Sequence, residues 1–181
     1  LILLRQGDSV GLTAFDEEIV TRVASRGGSK YWYEVLRHLV RLEAQGRTSA
    51  HSALREVAVR LRRRGLVILL SDLLVDPDTT RTALRFLRHR GHEVLVIHIL
   101  DPGERELPAA GDARFFDPET GQEMDVNVAD VRSAYRDAVR DALGEWDRGL
   151  RPHGVDYVVV GTEEPLSRAL RFYLRKREHL G

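Results

Sequence analysis

Arg64-Gly65-Leu66-Val67-Ile68-Leu69-Leu70-Ser71-Asp72-Leu73-Leu74 is the stretch on which the fold turns. Five consecutive apolar residues, Leu66 to Leu70, lie between a basic helical segment ending at Gly65 and the polar pair Ser71-Asp72. A short unbroken apolar run between helical segments reads as a strand buried on both faces, and strands of that kind belong to parallel sheets. In open α/β sheets, ligands gather at the carboxyl ends of the strands. Ser71 and Asp72 occupy that position, so one stretch predicts both a fold class and a candidate site.

The segments on either side repeat the alternation. Residues 50–64 form a predicted helix with Ala53, Leu54, Val57 and Leu61 inward, and Arg55, Arg60, Arg62, Arg63 and Arg64 outward. Residues 30–44 form another, with Trp32, Val35, Leu36, Leu39 and Leu42 on one stripe, and 45–49 are a short loop ending in good N-cap residues. Residues 9–15 and 19–24 read as two antiparallel strands about the turn Asp16-Glu17-Glu18.

Downstream of the quoted stretch, Asp78-Thr79-Thr80 caps a helix that runs to about residue 90 and stops at Gly91. Residues 93–100 are a second doubly buried strand. Within 113–126, two short runs flank Pro118-Glu119-Thr120-Gly121 as a small β-hairpin. Residues 128–150 make the longest helix, 155–160 a third parallel strand, and Pro165 starts a final helix to about residue 177. The prediction is an α/β fold, a doubly wound and mostly parallel sheet with right-handed crossovers, in a single domain spanning 1–181.

Composition closes several functional classes. Acidic and basic residues balance at 28 each, so no overall field draws nucleic acid or an anionic membrane. There is no cysteine, hence no disulfide, thiol nucleophile or thiolate metal site. No apolar run approaches the ~20 residues of a membrane span. Lys30 and Lys176 are the only lysines, neither of them near a strand end, which argues against a phospho-accepting receiver domain. A phosphate-binding G-x-x-x-x-G-K-[ST] loop is missing, as is a G-x-G-x-x-G after a strand.

Gly7-Asp8-Ser9-Val10-Gly11 matches G-x-S-x-G, but the serine precedes a strand where a nucleophile elbow requires a helix. The seven histidines show no HExxH spacing, and His98, inside a strand, reads as a surface or satisfied core histidine. The arginines at 60 and 62–64 read as a solvated last turn complementing the helix dipole. Thr48 and Asp72 remain. Thr48 sits in the loop just ahead of the helix leading into the Leu66–Leu70 strand and Asp72 at that strand's end; a doubly wound sheet can bring both loops to one rim, and a hydroxyl with a carboxylate suits Mg²⁺, which takes six oxygens at about 2.1 Å. A plain N-cap and a turn residue would explain the same two positions without metal.

An ordered set of segments carries a resemblance. Gly7-Asp8-Ser9-Val10-Gly11-Leu12, Arg47-Thr48-Ser49-Ala50, Gly65 to Leu73, His98-Ile99-Leu100-Asp101-Pro102-Gly103-Glu104, Asp117-Pro118-Glu119-Thr120-Gly121 and Thr162-Glu163-Glu164-Pro165 follow one another as they do in a known family. The chain resembles the bacterial family of unknown function whose C-terminal half is a von Willebrand factor type A-like domain, with genes commonly beside MoxR-type AAA+ ATPases.

The resemblance implies a metal-ion-dependent adhesion site on the sheet rim, with Thr48 and Asp72 as metal ligands. The third element, a D-x-S-x-S loop, would lie upstream of Leu1 together with the first central strand, and Ser49 stands where the family often has an acid. It therefore implies an N-terminally truncated domain whose missing strand leaves a slot beside Leu66–Leu70, filled by the rest of the protein or by a second copy. Mg²⁺ is expected in the full-length protein, and no tight Mg²⁺ site in this chain alone.

The implied function is a non-enzymatic protein-interaction module, partnered by a MoxR-type ATPase in assembling or remodelling other proteins, with no nucleic acid or membrane partner and a cytoplasmic location. The alternative is a Mg²⁺-dependent hydrolase or phosphotransfer enzyme on the same rim, with Asp101 and Glu104 as candidate bases.

Overall fold

Local signals set most of the elements. In a computed structural model, the described residues are 1–16, 18–43, 50–61, 63–107, 111–116, 121–165 and 167. In chain order they form α1 (Ile2–Arg5), β1 (Val10–Phe15), β2 (Ile19–Arg26), α2 (Tyr31–Leu39), α3 (Ala50–Arg60), β3 (Leu66–Ser71), α4 (Pro77–His89), β4 (Glu93–Leu100), α5 (Pro102–Arg105), β5 (Asp112–Phe116), β6 (Glu123–Asn127), α6 (Val128–Leu150) and β7 (Val155–Gly161). The loop at 44–49, the hairpin turn at 117–120 and most of the helix anticipated over 165–177 lie outside the described residues.

Residues 1–65 with 74–93 form one compact unit. In it β1 and β2 pair antiparallel, from Val10 opposite Arg26 to Phe15 opposite Ile19, with two irregularities in the register. Pro77 stands at the first turn of α4, and the Asp76 carboxylate accepts from the Thr79 N–H at 2.9 Å, so the cap is Asp76, two residues ahead of the Asp78-Thr79-Thr80 cap anticipated from sequence. Helices α3 and α4 pack together, burying Ala53, Leu54, Ala58, Ala83, Leu84 and Leu87. Gly91 follows α4 at φ +87°, a left-handed backbone that favours glycine. The stripe anticipated on the 30–44 helix is not a buried one: α2 has no buried residue, and Leu36 and Leu39 are exposed.

Residues 66–73 with the chain from 94 onward form the second unit. Its sheet is ordered β3-β4-β7, and β4 runs parallel to β7 with Val94 opposite Val155 and Leu100 opposite Gly161. Leu95, Ile97 and Val160 form a buried cluster, with Leu66, Ile68, Ile99 and Val158 packed against it. The long helix α6 starts at Asn127, whose side chain accepts from the Ala129 N–H, and it buries Val128, Trp146 and Leu150. Strands β5 and β6 form the anticipated hairpin, with Arg114 bonded to Asp125 at 2.8 Å across it.

One expectation is corrected. Leu66–Leu70 was read as a strand buried on both faces, but of β3 only Leu69 is buried and Leu70 is 54 % exposed. The reason is position: β3 is the sheet's edge, bonded to β4 on one side only among the described residues, and β4 is the enclosed strand. Strands β1 and β2 form a two-stranded sheet of their own.

Candidate functional site

The carboxyl ends of β3, β4 and β7 in the second unit each carry a polar turn. After β3, the Leu73 N–H donates to Ser71 Oγ at 3.0 Å. Leu73 is the one non-glycine residue with positive φ, +55°, among the described residues, and its side chain is only 5 % exposed. A left-handed leucine costs on the order of 1–2 kcal/mol and persists only where its surroundings over-determine it. Asp72, between the two, is exposed.

After β4, Asp101 begins α5 with a reciprocal cap: its Oδ1 accepts from the Gly103 N–H at 2.8 Å, and Glu104 Oε2 accepts from the Asp101 N–H at 2.8 Å. The turn after β7 joins it, with Thr162 Oγ1 donating to Asp101 Oδ2 at 3.1 Å and the Thr162 N–H donating to the Leu100 carbonyl at 2.9 Å. Arg105 reaches Glu163 and Glu164 at 3.9 and 3.7 Å. Asp101 and Glu104, the candidate bases of a hydrolase, are thus engaged as caps, which accounts for both residues without chemistry.

Beneath the rim lies a polar pair. His98, 5 % exposed, places Nδ1 2.7 Å from the Tyr157 hydroxyl. The two are on one face, because Val96 is opposite Tyr157 in the register and His98 follows one alternation later. Burial lowers the His98 pKa below 6.5, opposed by a hydrogen bond to the backbone carbonyl of Asp72 and by the charges of Asp72 and Glu104. Burial, with the charge of Asp147, pushes the Tyr157 hydroxyl well above its ordinary value, so it remains an O–H donor. The sequence reading of His98 as surface or satisfied core histidine resolves to the buried, bonded case, but its link to Asp72 went unread. The one signal was a single polar residue inside Val94-Leu95-Val96-Ile97-His98-Ile99-Leu100.

Of the two residues assigned to metal, Asp72 sits at the rim as anticipated and Thr48 lies outside the described residues. No group of three or more His, Asp or Glu residues suited to a metal occurs among the described residues. Among the same residues no helix is long and apolar enough to cross a membrane.

Comparison with known proteins gives a consistent picture. A family model described as "Protein of unknown function DUF58" matches residues 1–144. An uncharacterized protein of Mycobacterium tuberculosis is 29% identical over 177 residues, covering 94% of this chain and 55% of its own length. This chain thus spans about half the length of the mycobacterial relative. An uncharacterized protein encoded in the moxR 3′ region of Paracoccus denitrificans is 35% identical over 100 residues, 54% of this chain and 92% of that protein.

Two solved structures are similar in fold. An aerotolerance-related membrane protein from Bacteroides fragilis has a TM-score of 0.56 at 15% identity, covering 93% of this chain and 79% of that one. The conserved hypothetical protein BatB from Bacteroides thetaiotaomicron has a TM-score of 0.58 at 16% identity, covering 97% and 82%.

Proposed function

This chain belongs to the DUF58 family of proteins of unknown function, and from that premise we propose that it is a non-enzymatic protein-interaction module of the von Willebrand factor A type. It docks a partner through the rim around Asp72 and works with a MoxR-type AAA+ ATPase, in the cytoplasm, in assembling or remodelling other proteins. The single observation that carries this reading is the loop at Ser71–Leu73. A strained, internally bonded turn at a strand's carboxyl end presents an exposed carboxylate where α/β sheets place ligands. The moxR-neighbouring relative supports the choice of ATPase.

In this reading the chain is one domain whose sheet is completed beside β3 by a strand from other residues of the protein, or by a second copy. Thr48 and Asp72 would contribute to a Mg²⁺ shell, Asp72 through water, with the remaining oxygens supplied outside the described residues and by a carboxylate of the partner. Capture of the MoxR-type ATPase of the same genome by the full-length protein, in Mg²⁺, tests it. Retention by the wild type and at least a tenfold loss with Asp72→Ala is expected, with no phosphatase turnover by either. Equal retention by both proteins would sink the reading.

A further inference from the structure

We propose that the joined ends of α3 and α4, in the first unit, are a docking surface for an acidic segment of a partner protein, with Arg63, Arg64, Arg88 and Arg90 as its contact residues. This surface is distinct from the rim around Asp72, and its role stands or falls independently of that reading.

The charge is local. The chain as a whole is neutral, with 28 acidic and 28 basic residues, yet residues 55–64 hold five arginines against one glutamate. Residues 79–92 hold four arginines and two histidines and no acid. The fold brings the two stretches together. Helix α3 packs on α4, and the Glu93 N–H donates to the Gly65 carbonyl at 3.0 Å, so the chain leaving α3 runs beside the chain leaving α4. A Cβ on Gly91 would lie 2.7 Å from Arg64 Nε and 3.2 Å from its Cζ, which puts the Arg64 side chain across the bare backbone of Gly91. Arg88 donates from Nη1 to the His92 carbonyl at 2.7 Å, and the Arg90 guanidinium stands 6.0 Å from the centre of the Phe86 ring. Arg63, Arg64 and Arg90 are exposed.

Helix dipoles account for only part of this. Two helix C-termini offer roughly one negative charge between them. Glu56 is taken by Arg60 at 2.6 Å. Among the described residues, Arg63, Arg64, Arg88 and Arg90 make no ion pair with an acid, so cations outnumber their local partners.

The chemistry of the surface selects the partner. Guanidinium forks grip carboxylates at two points, which an ammonium cannot do. Surfaces for single-stranded nucleic acid add aromatic platforms, and here Phe86 is the one aromatic ring within residues 50–93 and lies beside Arg90. Surfaces that settle on a bilayer sink several apolar side chains, and Val59 is the one large hydrophobic exposed on α3 or α4 among the described residues. An acidic protein segment needs neither feature.

The test measures fluorescence anisotropy of a labelled peptide of alternating Asp and Glu, and of its Asn-Gln counterpart, with the full-length protein. The acidic peptide should bind, the neutral one should not, and added salt should weaken the complex. Arg64→Glu with Arg90→Glu should weaken it about tenfold, while Arg136→Glu, at an exposed arginine on α6, should change it less than about twofold. Arg64→Lys with Arg90→Lys keeps the charge and removes the forks, and should weaken binding about threefold without the repulsion that could unsettle the reversed variant. The proposal is overturned by equal binding of the two peptides, by equal loss from Arg136→Glu and the double reversal, or by undiminished binding in the lysine variant. Tighter binding of oligothymidine, or of phosphatidylglycerol vesicles, than of the acidic peptide also overturns it.

Discussion

Strands β3 and β4 look alike in sequence and differ in surroundings. Each carries at least four apolar residues in a row, and each ends in a polar turn. Yet β4 is buried over Val94–His98 while β3 has a single buried residue. The difference is a neighbour: β4 has β3 on one side and β7 on the other, and among the described residues β3 ends the sheet. An unbroken apolar run records the surroundings a strand evolved for, while exposure records the surroundings present.

Truncation measures the contrast directly. Ile97→Ala should cost about 2–5 kcal/mol, because it empties a site between Leu95 and Val160. Leu70→Ala, at a half-exposed side chain, should cost under about 1 kcal/mol by urea unfolding. Similar costs would mean that β3 is enclosed in solution. Tyr157→Phe should come next, at about 1–3 kcal/mol, since it leaves a buried imidazole acceptor unpaired.

Acid should act through the same interior. Both His92 and His98 have pKa values lowered chiefly by burial, so below 6.5 the unfolded chain binds protons that the folded chain refuses. Stability is therefore full above 6.5 and falls as the pH drops through the window beneath it. The unfolding midpoint should decline from pH 7 to pH 5, and His92→Gln should flatten the slope. Asp76→Ala, which removes the cap of the helix leading from β3 to β4, should cost about 1 kcal/mol. Leu70→Lys should change stability by no more than about 0.5 kcal/mol and lower any concentration-dependent association through the open edge, read by sedimentation.

What the sequence revealed follows the same division. β4, β7, the hairpin and α6 were legible within a residue or two, because their patterns are resolved by partners inside the chain. β3 was placed correctly and enclosed wrongly, since Leu66–Leu70 says nothing about whether a flanking strand is present. The stripe on α2 failed for a related reason: periodicity identifies an apolar face, and Leu36 and Leu39 lie on one that is exposed. Asp72 was readable as a strand-end carboxylate. The pairing of His98 with Tyr157 was not, because it depends on the β4–β7 register joining residues 59 apart.

The length of α6 has an outcome of its own. Its 23 residues extend ~35 Å, whereas the seven of β7 extend ~23 Å. Tyr135 donates to the Glu104 carbonyl and Arg132 to that of Leu107, so the surplus turns project past the carboxyl end of the sheet. The hairpin of β5 and β6 is joined to the start of α6 at Asn127. Its base is tied by the Val128 N–H to the Gly111 carbonyl at 3.0 Å, so the helix and the hairpin move as one piece.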